Sequence, residues 1–296
     1  MYAIMTTLID CPACGKIEPT VWLKPRRSNK RTACYGARRI GIPNPHGPLF
    51  TCPSCGWGLQ HPLPATAELH ALYRELTEQT YLEDAATRMA QFKRELEELR
   101  VLHDKDDATL LDFGCSYGLM LEAAEERGFK TVGLELGKEQ VQHCLARGFD
   151  VRSGGIECLA PEEKFDLVIA WDVLEHVIDP LETLRSLRKH VVQGGVISLV
   201  VPDRGSHIAR LLGERWWSIL ELHLHYPTKQ GMVNILERSG FTIIEIKTHP
   251  KLMSARLLVE WLPFTFARTA LSRIIPESLE LTIDPRDQMR IHARVV

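Results

Sequence analysis

From residue 109 onward, short apolar runs alternate with segments whose apolar positions recur every three to four residues. Residues 110–113 (LLDF), 131–136 (TVGLEL), 164–171 (KFDLVIAW) and 196–202 (VISLVVP) are the apolar runs. Between them, LMLEAAEERG, KEQVQHCLARG and residues 181–190 carry the helical period. FDVRSG adds a short strand, Gly194-Gly195 a turn, and the tail from 281 turns and returns as a strand over 288–296. Apolar strands alternating with helices predict βαβ units and a parallel sheet. Runs apolar on both faces predict a sheet covered on both sides. Upstream, residues 66–102 read as helical, with Leu96, Leu99 and Leu102 on one face.

The segment 252–275 is strongly apolar, but Pro263 and the charges Arg256, Glu260, Arg268 and Arg273 interrupt it. It is not expected to span a membrane. A helical cover over 252–280, packed on the sheet, is the main expectation. A membrane-surface contact, a lid over a lipophilic substrate and a dimer face are the alternatives.

The stretch 110–118, LLDFGCSYG, is strand, small-residue turn and helix start in nine residues. In an open α/β sheet such a turn lines the ligand crevice. The spacing G-x-S-x-G does not make a dinucleotide fingerprint, and Asp112 would repel a pyrophosphate. GCSYG also matches the hydrolase nucleophile elbow, but charged helix and cysteine pairs precede it where that fold needs earlier strands. A carboxylate at Asp112 suits a ligand ammonium. Glu135, about twenty residues on, is placed to accept hydrogen bonds from two ribose hydroxyls. These features favour a turn for S-adenosylmethionine.

With FDLVIAWDVLEHVIDP following, and HLHYPTKQGMVNILERSGF over 223–241, the chain resembles the class I S-adenosylmethionine-dependent methyltransferases, in their small-molecule branch. The resemblance covers about residues 105–250 and the final strand. It implies a Rossmann-like, doubly wound α/β sheet of mostly parallel strands whose last strand is antiparallel. It also implies site residues. Asp112 would face the methionine ammonium. Gly114, Cys115 and Gly118 would form the turn, the glycines letting the backbone approach the cofactor. Glu135 would hold the ribose, and Leu136 beside it would also contact the cofactor. Gly155 and Ile156 would lie beside the adenine, where Gly155 offers no side chain to the amine. Trp171 or Asp172 would close the methionine side. Ser116 stands where the family often has glycine. His223, His225 and His176 are the candidate proton acceptors, the first two preferred, with satisfied structural histidines as the alternative. Tyr73 and Tyr81, just before the first strand, are expected to pack in the core or touch ligand.

Cys11-Pro12-Ala13-Cys14-Gly15 and Cys52-Pro53-Ser54-Cys55-Gly56 are near-identical knuckles. Two C-x-x-C pairs supply four thiolates for tetrahedral Zn2+, and four protein ligands leave no open position, so the metal is expected to be structural. Neither pair has the βαβ context of a redox motif. Of the other cysteines, only Cys34 is a spare ligand candidate. The boundaries expected are a zinc-ribbon-like module over 1–64, a helical linker and cover over 65–104, and the methyltransferase domain over 105–296.

The 296 residues carry a net charge of −2, which argues against a dedicated nucleic-acid binder. The basic run KPRRSNKR followed by ARR is a local exception, solvated or contacting phosphate. No signal-peptide pattern opens the chain, and metal-spaced cysteines suit a reducing compartment, so a cytoplasmic protein is expected. The expected acceptor is a small molecule (sugar, polyketide-like or lipid-linked, phosphorylated or lipophilic) methylated on oxygen, with carbon or nitrogen as alternatives. An RNA or protein methyltransferase gripping its partner through the zinc module is the second reading. A non-catalytic cofactor-binding scaffold is the third. A homodimer is a further expectation.

Overall fold

The computed structural model describes residues 10–16, 19–26, 43–75, 81–82, 84–102, 105, 107–255, 259, 274–276 and 279–296. The basic run beyond Arg26, Cys34 and most of the apolar segment after 255 lie outside these residues.

Among the described residues the main sheet has seven strands. In chain order the N-terminal elements are β1 (Thr20–Leu23), β2 (Leu49–Thr51), β3 (Gly58–Gln60), α1 (Thr66–Glu75) and α2 (Ala85–Arg100). Then follow β4 (Thr109–Phe113), α3 (Leu119–Glu125), β5 (Lys130–Glu135), α4 (Lys138–Ala146), β6 (Val151–Ser153) and β7 (Phe165–Trp171). The second half holds α5 (Pro180–Lys189), β8 (Val191–Pro202), α6 (His207–Leu212), β9 (His225–Tyr226), α7 (Lys229–Arg238), β10 (Thr242–Thr248), β11 (Lys251–Ser254), β12 (Glu280–Ile283) and β13 (Gln288–Arg294).

The spatial order is β10-β13-β8-β7-β4-β5-β6. Strands β4 to β8 pair in parallel, and β13 runs antiparallel between β8 and β10. The order reverses at β4, so the crevice opens outside the carboxyl ends of β4, β5 and β7. The Gly194-Gly195 turn is instead an irregularity inside one long strand. Gly194 N donates to Val295 O and Val295 N to Gly195 O, which keeps both glycines in the ladder with the chain end.

Both faces of the sheet are covered, as the apolar runs require. On one face Leu96 and Leu99 of α2 pack with Leu110, Met120, Phe129 and Leu167. On the other, Leu184 and Leu187 of α5 and Met232, Ile235 and Leu236 of α7 cover Val168, Leu199 and Ile291. Local signals set the helix starts. Asp179 accepts from Leu181 N and Glu182 N, both at 3.0 Å, with Pro180 at the first helical position. Thr228 caps α7 through Gly231 N at 3.1 Å.

Two features depart from the expected layout. The cover over 252–280 begins and ends in an antiparallel ribbon, β11 with β12, not in a helix. Met253 stands opposite Leu281, and Leu281 and Ile283 recur with the two-residue period of a strand. In addition, the small N-terminal sheet β1-β2-β3 takes its fourth strand, β9, from beyond residue 220. Among the described residues no helix is long and apolar enough to cross a membrane.

Candidate active site

A cleft of about 980 Å³ runs along the carboxyl ends of the parallel strands. Phe113, Glu135, Gly154 and Trp171, each at or just beyond a strand end, and Val200 near the end of β8 line it.

Glu135 ends β5 and is held by three backbone donors. Ser116 N donates to Oε2 at 2.9 Å, and Leu136 N and Gly137 N donate to Oε1 at 2.7 Å each. Burial nevertheless raises its pKa, outweighing those bonds. The side chain therefore stitches the turn after β4 to the turn after β5. Ser116 adopts φ +48°, a left-handed conformation, to present its N–H. Glycine adopts that conformation without strain, which explains a family preference for glycine there.

Gly114 has φ +85°, and a Cβ there would sit 2.6 Å from Val173 Cγ2. Gly114→Ala is expected to destabilise the protein by about 2 kcal/mol through backbone strain and overpacking. It is also expected to weaken cofactor binding by tilting the turn. Thermal unfolding with and without S-adenosylhomocysteine reads both effects.

Of the residues expected at the cofactor, Gly114, Glu135, Leu136, Gly155, Ile156, Trp171 and Asp172 line the cleft, as does Ser116. Asp112, Cys115 and Gly118 do not line it. Asp112 is buried on β4 behind the turn, and burial, then Glu135, raises its pKa to about 7. Cys115 is buried under the turn, where its Sγ lies 2.7 Å from where a Gly133 Cβ would be. Gly118 takes φ +76°, and a Cβ there would meet Cys144 Sγ at 2.9 Å. Its glycine serves packing behind the turn, not approach to a ligand.

The histidines separate. His176 and His223 line the cleft, and their rings meet edge-on with centroids 4.6 Å apart. His176 Nδ1 lies 2.8 Å from the Tyr73 hydroxyl and 3.0 Å from Leu222 O. Among the described residues His223 Nδ1 is buried with no hydrogen-bond partner. His225 is outside the cleft lining, and both its nitrogens are engaged. Trp57 Nε1 donates to Nδ1 at 3.3 Å, so the ring proton sits on Nε2, 3.3 Å from Ile178 O. A ring committed in this way has no nitrogen for substrate, and its preference as a proton acceptor is withdrawn.

Sequence reasoning missed Glu175. Its carboxylate and the His176 and His223 rings place their ligating atoms within 4.8 Å of one another. Among the described residues Oε2 of Glu175 is buried with no partner, and burial, then Asp172, pushes its pKa well up. Burial pushes both histidines down, His176 to about 4. A carboxylate that holds its proton tightly beside two neutral imidazoles can relay a proton or hold a divalent cation. The D-x-L-E-H spacing was the available signal. It puts Glu175 and His176 just after β7, but not His223 beside them.

A further wall, of which only Tyr81 was expected near a ligand, comes from residues 81–92 and from the ribbon with the residues before it. Tyr81, Arg88, Gln91 and Phe92 line the cleft together with His249, Lys251, Met253 and Ile283. Gln91 fastens the two, since Nε2 donates to Pro250 O at 3.1 Å and Oε1 accepts from Leu252 N at 2.9 Å. Arg88 stacks on the Tyr81 ring at 4.2 Å.

The four knuckle cysteines converge. Cys11 and Cys55 Sγ are 3.6 Å apart, as are Cys14 and Cys52 Sγ. A tetrahedron with Zn–S of about 2.3 Å has edges of about 3.8 Å, so the group fits Zn2+. The Cys11 and Cys52 carbonyls accept from Gly15 N and Gly56 N at 2.8 and 2.9 Å, with the glycines at φ +71° and +73°. These bonds close both knuckles into the same turn.

A family model described as "Methyltransferase domain" matches residues 81–246. The chain belongs to this family of methyltransferase domains, its fold is that of the class I S-adenosylmethionine-dependent methyltransferases, and an N-terminal four-cysteine group accompanies it. Among curated proteins it is 36% identical over 117 residues to a ubiquinone biosynthesis O-methyltransferase of Pseudomonas entomophila, covering 36% of this chain and 50% of that one. The protein of the same name from Aliivibrio fischeri is 33% identical over 114 residues, covering 35% and 49%. The chain thus spans about half the length of these curated relatives. Among solved structures, an S-adenosylmethionine-dependent methyltransferase from Archaeoglobus fulgidus superposes with a TM-score of 0.51 at 19% identity, covering 73% of this chain and all of that one. That likeness supports the fold.

Proposed function

We propose that this protein transfers a methyl group from S-adenosylmethionine to an oxygen of a small, largely apolar acceptor. The observation that carries this reading is the continuity of one cleft from Glu135 to the Glu175–His176–His223 group. Its size is that of a pocket for a cofactor and a small acceptor together, not of an open groove for a polymer. The names of the curated relatives agree with an oxygen acceptor.

The residues fit the cofactor in three respects. Glu135 is pinned where ribose hydroxyls can meet it, Gly114 leaves room at the turn, and Asp112 offers a buried carboxyl beneath it. When bound, S-adenosylmethionine supplies a methyl group on a sulfonium leaving group. The protein then has to orient the acceptor and take its proton. Phe92, Trp171, Met253 and Ile283 supply an apolar wall that excludes water. Trp171 is itself fixed by donating Nε1–H to Ser198 Oγ at 2.9 Å. Among the described residues Nδ1 of His223 is buried without a partner, which leaves this nitrogen to accept the hydroxyl proton, with the Glu175 carboxyl beside it. The four cysteines hold structural Zn2+.

Two measurements test this reading. Calorimetric titration should give binding of S-adenosylhomocysteine and none of a nicotinamide dinucleotide. Label from methyl-labelled S-adenosylmethionine should appear on members of a phenol and catechol panel, and not on RNA. Binding without transfer to any small acceptor would reduce the protein to a scaffold.

A further inference from the structure

The wall of the cleft that carries His223 is built onto the four-cysteine module. Strand β9 starts two residues after His223, and one edge of it pairs with β3, Gly58 opposite Tyr226 and Leu59 opposite His225. Gln60 N extends that pairing to Leu224 O at 2.8 Å. The same segment also holds the backbone after β7, because Leu224 N and His225 N both donate to Glu175 O, at 2.8 and 3.0 Å. The backbone of Glu175 is thus one hydrogen bond away from a strand completed by the module.

The knuckles themselves are seized by the methyltransferase domain. Arg238 Nη1 donates to Pro12 O at 2.7 Å, Thr228 Oγ1 to Cys55 O at 2.6 Å, and Arg204 Nη1 to Gly56 O at 2.8 Å. Trp57, fully buried directly after the second knuckle, sets the His225 ring through its Nε1–H. It also touches α7 so closely that a Cβ at Gly231 would lie 2.6 Å from Cε3. The cysteines and Trp57 share one apolar cluster with Leu174, Met232 and the sheet. The bonds that hold Glu135, in contrast, come from residues 116, 136 and 137.

We propose that the metal-loaded four-cysteine module braces one wall of the cleft: it positions Glu175, His176 and His223 and takes no part in holding the cofactor, with Trp57 as the positioning residue. The proposal rests on the four cysteines holding zinc and on the His223 end being the acceptor end. Loss of the module's metal would then disable methyl transfer while the cofactor still binds.

The test uses the full chain, purified with about one zinc per chain. The metal is stripped with a chelator and a thiol-specific mercurial, and amide hydrogen exchange is compared before and after. Exchange over 173–178 and 222–228 is expected to accelerate at least about tenfold, with β4 and β5 unchanged and S-adenosylhomocysteine affinity within about twofold. Unchanged exchange over 222–228 after full metal loss overturns the proposal. So does equal acceleration across β4 and β5 with loss of binding, which would make the module a staple of the whole fold. A chain purified without zinc would sink the metal reading, and a zinc-loaded chain that ignores S-adenosylhomocysteine would sink the cofactor reading, so the failures are distinct. Trp57→Phe covers the case in which the stripped chain unfolds. It keeps an aromatic ring and loses the N–H, and exchange over 222–228 should rise about three- to tenfold with zinc content and S-adenosylhomocysteine affinity kept. No change in that variant overturns the role given to Trp57.

Discussion

Glu135→Ala is expected to lower affinity for S-adenosylhomocysteine at least about a hundredfold, as two charge-assisted hydrogen bonds of about 1.5–3 kcal/mol each are lost. The loss has a second source. Alanine leaves Ser116 N, Leu136 N and Gly137 N without the acceptor they share. The turn after β4 then loses its tie to β5, and Ser116 loses the bond that offsets its φ of +48°. Glu135→Gln keeps the side-chain length and one acceptor oxygen, but its NH2 cannot accept the bonds made to the other oxygen, so the charge and only part of the turn tie are lost and about a tenfold loss is expected. Calorimetric titration of both variants is the measurement. Equal, wild-type affinity in both would end the ribose assignment and leave Glu135 as a structural tie between two turns.

Much of the fold was legible because it depends on local periodicity. The apolar runs at 110–113, 131–136 and 164–171 form β4, β5 and β7 at nearly the expected positions. A chain that buries both faces of a sheet has little choice about where its strands lie. The antiparallel β13 followed from resemblance, since nothing local to 288–294 announces direction. The contacts between distant segments were not legible. His223 and Glu175 are 48 positions apart and meet only because β9 docks beside residue 175. The same docking removes His225 from the chemistry, and no local pattern signals its bond to Trp57, 168 residues away. The edges of the cover after 251 escape the helical expectation because a four-residue strand at Lys251–Ser254 is hidden at the start of a longer apolar stretch. The wall formed by Gln91 and residues 249–253 had no motif at all. It consists of ordinary side chains that a ribbon brings to the cleft.

The second large effect belongs to Asp112, and its sign distinguishes a binding group from a structural one. Its pKa is raised to about 7 by burial and by Glu135. Near pH 6 the carboxyl is mostly neutral, and near pH 8 mostly charged. Asp112 lies behind the turn and does not line the cleft, so it would act on a ligand ammonium through a bridging water. The ammonium favours the charged form, so S-adenosylhomocysteine affinity should rise up to about tenfold from pH 6 to pH 8 and flatten above. The same raised pKa acts against folding of the free protein. A carboxyl that binds its proton more tightly when folded destabilises the native state fully above pH 7, and that cost fades as pH falls toward the ordinary value of 3.8. The size is about 4 kcal/mol at most, from the gap between the two pKa values at about 1.36 kcal/mol per pH unit. Asp112→Asn removes the charge and keeps the shape. It should therefore make the ligand-free protein more stable at pH 8, by up to a few kcal/mol, while lowering S-adenosylhomocysteine affinity about a hundredfold and abolishing its pH dependence. Denaturant unfolding at pH 6 and pH 8, paired with titrations at the same values, reads both sides. A variant that is less stable and binds normally would mean that Asp112 is a buried structural carboxyl and that the ammonium is held elsewhere.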